Sequence, residues 1–366
     1  MQFKKRFLMV FMSLTLLVGM LGGGAPFVQA QEMVNSKTGA YEFSVKPGTE
    51  EWKRFLNFDE MLEACQVPEE ILKNMSTTAL VETVLNYPLL RVYMAHDDFQ
   101  QGFEILTSNF NGLQELFNRY NAGTEVFQIY LAMDPSSINK EWTDVQKGSY
   151  ALSFLDIEML LFQEPILTSL TAIELQMLEI EAGNKNRLMQ NNPEVYSLFN
   201  RQICASLLEQ ACNQYSNRYY GTSVYTPMGS AVAALQMQPG DELSPAEIAS
   251  INAYYDSAFP YATRMKSATR MYNCHSYAWY SQEWGNTIWI NAPNQATYWN
   301  DGSYSQWTGV PYVNLKVRYV NDDHSAIIYS TVNHQYISKW GAAGLYTHSP
   351  SHCPYVSTTL YYYSRN

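Results

Sequence analysis

The chain has 366 residues and a formal net charge of −11, with 16% charged and 14% aromatic residues. That length accommodates two domains, or one large domain with a satellite. The acidic balance, with no basic cluster beyond the first residues, excludes nucleic acid as a partner of the front half, and no phosphate-binding loop or dinucleotide fingerprint is present.

Taken in chain order, Lys4-Lys5-Arg6 precede an apolar run from Phe7 to about Leu21, followed by Gly22-Gly23-Gly24-Ala25-Pro26 and Val28-Gln29-Ala30. This pattern predicts a signal peptide over residues 1–30, cleaved after Ala30. The run is short for a bilayer span and ends in Gly and Pro rather than in basic residues, which argues against a membrane anchor. The mature chain is therefore expected to be secreted, with no membrane association after cleavage. Of the five cysteines, Cys65, Cys204, Cys212, Cys274 and Cys353, an odd count leaves at least one thiol unpaired in an exported chain. Cys204 and Cys212 fall about two turns apart on one expected helix, too far to bridge, so no disulfide framework is expected.

Residues 31–215 read as an all-α domain. Pro68 stands at a helix start, and Ser76 caps a segment with Leu80, Val81, Val84 and Leu85 at helical spacing. Further helices are expected over 97–110, 112–120, 125–133, 144–163, 168–188 and 193–215. Residues 216–243 mix Gly, Pro, Tyr and Met without a period and read as a connector. Ser244-Pro245-Ala246-Glu247 then has the form of a capping box opening a helix to about Ser257.

From residue 244 to 366 the rhythm changes. Runs at 287–290, 296–299, 315–320, 324–329 and 336–340 are rich in β-formers and bounded by Asn, Gly, Pro and Asp, and 356–363 reads as a possible edge strand. The expected fold class is α+β: a helical N-terminal domain, then a domain of one or two helices and an antiparallel sheet.

The chemistry concentrates in two words, Tyr272-Asn273-Cys274-His275-Ser276-Tyr277-Ala278-Trp279-Tyr280 and Asp322-Asp323-His324-Ser325-Ala326-Ile327-Ile328-Tyr329. Asn273 is a strong cap residue, which places Cys274 in the first turn of a helix, where the helix end favours a thiolate. His324 heads an apolar strand. A thiol and an imidazole so placed supply a nucleophile and its general base. His275 is expected on another face of the helix, with a structural role or at the rim of the site.

The order of a cysteine at a helix start, a histidine at a strand start and a polar residue on the next strand resembles the NlpC-type and CHAP-type branches of the papain-like hydrolases, over about residues 260–350. The resemblance implies a papain-like domain that cuts amide bonds, commonly in peptidoglycan peptides. It implies Cys274 as nucleophile and His324 as base. The third position, which orients the imidazole, falls on or just after 336–340, where Ser338 and His348 are the candidates. Neither metal nor cofactor is implied.

Other readings stay open. His348, His352 and Cys353, with His334 upstream, contain zinc-ligand types, but their spacing matches no standard ligand word. Tyr272, Trp299, Tyr304 and Trp340 could line a substrate groove, although such aromatics on strands more often pack. A secreted, non-enzymatic protein that recognises glycan or protein through this groove is the alternative to a hydrolase.

Overall fold

The computed structural model describes residues 34–211, 220–320, 323–356 and 359–366. The expected signal peptide lies outside the described residues. So does Cys212.

The front of the chain is helical. Its helices are α1 (Phe58–Ala64), α2 (Glu69–Asn74), α3 (Thr77–Leu85), α4 (Phe99–Asn109), α5 (Asn111–Phe117), α6 (Ala122–Ala132), α7 (Asp144–Leu161), α8 (Glu164–Thr168), α9 (Ala172–Met189) and α10 (Leu198–Ala211). Their starts follow local chemistry. Ser76 Oγ accepts the Ala79 N–H, and Thr143 and Thr171 close capping boxes with Gln146 and Glu174. A further helix, α11 (Pro245–Ala258), opens with the Ser244–Glu247 capping box that the sequence predicts.

Helix α7 is the central element, buried along nearly all of its second half. It packs on α11 so closely that a Cβ at Gly148 would stand 1.8 Å from the Ala246 carbonyl oxygen. Only glycine permits that approach. Near the other end of α7, Asp156 pairs with Arg91 at 2.9 Å and accepts from the Tyr93 hydroxyl at 3.1 Å. These bonds tie the 3-10 turn Leu90–Ala95 to the central helix, and so fix the start of the segment that carries Asp97.

The back of the chain forms two antiparallel sheets. One has the order β1-β2-β4, from Tyr220–Tyr225, Ala231–Gln236 and Ile288–Trp289. The other has the order β3-β9-β8-β7-β6-β10-β5. Its strands are β3 (Thr263–Lys266), β5 (Tyr304–Trp307), β6 (Lys316–Tyr319), β7 (His324–Ser330), β8 (Gln335–Lys339), β9 (Leu345–His348) and β10 (Leu360–Arg365). The architecture is thus α+β, helices first and antiparallel sheets after.

Three local expectations change. Within residues 216–243 lies the hairpin β1–β2, turned at Gly229 with φ +90°. Half of its second strand is alanine, a residue depleted in strands, which hid it. Residues 296–299 are helical rather than extended: a 3-10 turn begins after Pro293 and runs into α12 (Thr297–Asn300), which stops just before Gly302 at φ +83°. Finally, β10 is not at an edge; it sits between β6 and β5.

One apolar core runs from Tyr41 through the helices to Val317, Ala326, Tyr346 and Tyr355, so the helical half and the larger sheet are packed as a unit. A second core, containing Val232, Trp279, Ile290, Ile327 and Leu345, fills the space between the two sheets. Side chains on successive residues of a strand point to opposite faces. In β7, His324, Ala326 and Ile328 therefore face the first core, and Ser325 and Ile327 face the second. The register carries this parity to the neighbours, Arg318 opposite Ser325 and Tyr319 opposite His324.

Candidate active site

Between the sheets, residues 274–275 begin a helical segment that continues as a single π-type turn, Ser276–Tyr280. Asn273 organises its start. Its Oδ1 accepts the N–H groups of Ser276 at 3.0 Å and Ile290 at 3.2 Å, while its Nδ2 donates to Ile290 O at 2.7 Å and Asp97 Oδ2 at 2.6 Å. Cys274 thus occupies the first turn behind an asparagine cap, as its sequence context predicts.

The Cys274 thiol is buried, and Sγ donates to Asp97 Oδ2 at 3.5 Å. The same oxygen lies 3.5 Å from His275 Nε2. His275 Nε2 also meets Asp323 Oδ1 at 2.8 Å, and its Nδ1 meets Ser325 Oγ at 2.8 Å. Trp279 Nε1 donates to that same hydroxyl at 2.9 Å. Asp97, Cys274 and His275 form the group among the described residues that gathers three metal-ligand types within 4.8 Å.

Asp97 comes from the helical half and is placed by close backbone approach. Gly341 has φ +41°, and a Cβ there would stand 2.5 Å from Ala95 C and Met94 O. The Ala342 N–H donates to Met94 O at 2.9 Å, and the Tyr355 hydroxyl donates to Ala95 O at 2.7 Å. The segment before Asp97 is thereby fastened to the end of the larger sheet.

The electrostatics follow from burial and mutual charge. Burial, and secondarily Asp323, raises the Asp97 carboxyl to about 7, with His275 pulling the other way. Burial, then the charges of Asp97 and Asp323, holds the Cys274 thiol well above its usual range, against a stabilising backbone N–H from Ser325. Burial opposes protonation of His275, but the Asp323 hydrogen bond and the two carboxylates outweigh it and raise the imidazole. Asp323 is lowered despite its burial because His275 bonds to it. Lys339, on the same face of β8, is brought down to about 7 by burial; its Nζ donates to Thr269 O at 2.8 Å and lies 5.2 Å from the Tyr272 ring centroid.

The structure does not bring together all the residues singled out in the sequence. His324 is fully buried, but its ring stacks on Tyr355 at 3.6 Å on the opposite face of the sheet, and neither ring nitrogen has a hydrogen-bond partner. Cys274 meets the start of β7 through Ser325, one residue on, and a shift of one residue exchanges the faces of a strand. Ser338 and His348 also lie on the His324 side. Trp340 Nε1 donates to Ser338 Oγ at 3.0 Å, and Ser338 Oγ bonds His348 Nε2 at 2.7 Å. With His348 Nδ1 2.9 Å from Ser349 O, the polarity is set: Nδ1–H donates to the carbonyl and Nε2 accepts from Ser338.

Among the aromatic candidates, Tyr272 adjoins the site through Lys339. Tyr304 and Trp299 pack on Trp279, at 5.3 and 5.1 Å. Trp340 is stacked on Tyr346 at 4.1 Å in the first core. His352 Nδ1 bonds Ser349 Oγ and Cys353 Sγ donates to Pro350 O, each within its own loop. Asp97, His275 and Asp323 are the site residues that sequence reasoning missed. Asp97 gave no signal beyond standing before a helix, and Asp323 read as part of a turn. His275 was visible, but its burial against two carboxylates was not.

No protein-family model matches the chain, and neither curated proteins nor solved structures contain a significant match to it. No helix among the described residues is long and apolar enough to cross a membrane.

Proposed function

We propose that the protein is a secreted, cysteine-dependent acyl hydrolase of papain-like type that cleaves an amide bond, with peptidoglycan peptides as the substrate class. The observation that carries this reading is the capped first-turn position of Cys274, with Sγ against Asp97 Oδ2 and a His275–Asp323 pair immediately behind. A carboxyl near 7 is matched to accepting a proton at neutral pH. In this reading Asp97 takes the thiol proton, and protonated His275, held by Asp323, stabilises the thiolate. Sulfur attacks the carbonyl carbon, the amine leaves with a proton, and water releases the acyl group from the thioester. The thiol is sealed beneath the segment bearing Asp97, so turnover requires that segment to open.

The base role expected of His324 does not serve Cys274, because its ring stacks on Tyr355 on the opposite face of the sheet. His324 is a buried imidazole with two unpartnered nitrogens, an arrangement that in a native protein calls for a functional explanation. The alternative of a non-enzymatic binding protein is favoured less, because Trp340 and Tyr304 are spent on packing. The test is release of fragments from purified peptidoglycan, followed by mass spectrometry, for the full chain and for Cys274→Ala, His275→Ala and His324→Ala. Loss of release in Cys274→Ala and His275→Ala, with retention in His324→Ala, supports the reading. Retention in Cys274→Ala refutes it.

A further inference from the structure

We infer that Asp97, Cys274 and His275, with Asp323 as the fourth group, form a binding site for a zinc-class divalent cation. Donor chemistry comes first: a thiol, an imidazole and two carboxylates are the ligand types that zinc takes. Geometry comes second. Tetrahedral zinc, with bonds of about 2.3 Å to sulfur and about 2.0 Å to nitrogen and oxygen, separates its donor atoms by about 3.3–3.5 Å. Asp97 Oδ2 stands 3.5 Å from Cys274 Sγ and 3.5 Å from His275 Nε2, and all three atoms lie within 4.8 Å of one another. Only small side-chain shifts separate these three atoms from metal-bonding positions. Asp323 Oδ1, 2.8 Å from Nε2, stands outside that three-atom group, and its side chain must turn toward Cys274 and Asp97 to complete the set.

The surroundings prepare the imidazole. A metal-binding histidine needs one nitrogen for the metal and a proton on the other, held by an acceptor. Ser325 Oγ, 2.8 Å from Nδ1, is that acceptor once Nε2 is turned to the metal, and the same oxygen also receives the Trp279 Nε1 N–H, which holds it in place. Nε2 is then left to face Asp97 and Cys274. The Asp97 side chain is only 4% exposed, and its Oδ1 has no hydrogen-bond partner, so its second oxygen is available as well.

Binding balances in protons and charge. The cation displaces the proton on Cys274 Sγ and the one shared by His275 Nε2 and Asp323, releasing both to solvent. The ligand set then carries three negative charges against two positive, and Lys339 lies close enough to offset the remainder. The assignment does not depend on hydrolysis. Were the protein an enzyme, a bound cation would occupy the attacking sulfur and switch it off.

The experiment uses the full chain, freed of metal by a chelator and titrated with zinc ions against a chromophoric competitor, and in parallel with cobalt ions. One zinc ion per chain is expected, with a sulfur-to-cobalt absorption band in the near ultraviolet. Cys274→Ala and Asp97→Asn should each abolish tight binding, Ser325→Ala should weaken it by about ten-fold, and Cys353→Ala should leave it unchanged. Absence of the cobalt–sulfur band in the unaltered protein overturns the inference without reliance on any variant. So does zinc affinity that survives Cys274→Ala. Peptidoglycan cleavage without zinc binding removes this site and leaves the hydrolase; zinc binding without cleavage does the reverse.

Discussion

Lowering the pH should destabilise this protein through its buried neutral histidines, and His348 gives the magnitude. Burial brings His348 down to about 4, from the ordinary value near 6.5 that it regains on unfolding. A histidine depressed in the folded state contributes stability that is present above its unfolded value and is lost as pH falls toward the folded one. Between pH 7 and pH 5 the loss is about 2 kcal/mol for this single group, from a shift of about 2.5 units at about 1.4 kcal/mol each, most of it expressed by pH 5. The structural cause is the one-way chain Trp340 to Ser338 to His348 to Ser349, which has no place for a second proton on Nε2. The assay is urea unfolding at pH 7, 6 and 5 for the natural chain and for His348→Gln, which cannot titrate yet still offers an oxygen to Ser338. The natural chain should lose about 2 kcal/mol more than the variant over that interval. Parallel losses would refute the reasoning.

Asp97→Asn removes a negative charge beside Cys274 Sγ and should lower the thiol's resistance to ionisation, seen as faster alkylation of Cys274 by iodoacetamide at pH 8. Loss of the carboxylate proposed to take the thiol proton should at the same time abolish peptidoglycan cleavage. An unchanged alkylation rate would contradict the electrostatic effect of Asp97, and retained cleavage its role as base. Gly341→Ala forces a side chain into the Ala95 backbone at positive φ, and should cost about 1–3 kcal/mol in thermal unfolding while also loosening the segment that seals Cys274. Ser338→Ala leaves the Trp340 N–H and His348 Nε2 unpaired, and should cost about 1–3 kcal/mol of stability. It should leave peptidoglycan cleavage intact; loss of cleavage at full stability would restore Ser338 to the site.

Much of the fold could be read locally. The Ser244–Glu247 capping box and the Ser76 cap state their helices in four or five residues, because a cap is satisfied by its own neighbours. The runs that became β6, β7 and β8 were visible for the same kind of reason, apolar β-formers between turn residues. Side-chain direction was not visible. Whether His324 or Ser325 faces the helix at Cys274 depends on the register of β7 against β6 and β8 and on which face the helix covers, neither of which is local. Asp97 is 177 residues from Cys274, and its arrival depends on Gly341 admitting the backbone at Ala95. The asparagine cap was legible in the sequence; its companions depended on tertiary packing.

The claim that Cys274 is the attacking atom is tested most directly by trapping the intermediate. The full chain, quenched early during incubation with peptidoglycan peptides and digested for peptide mapping, should carry an acyl mass on the fragment containing Cys274, and that mass should vanish with hydroxylamine. Cleavage that proceeds with the Cys274 fragment always unmodified, and at an equal rate in Cys274→Ala, would contradict the account.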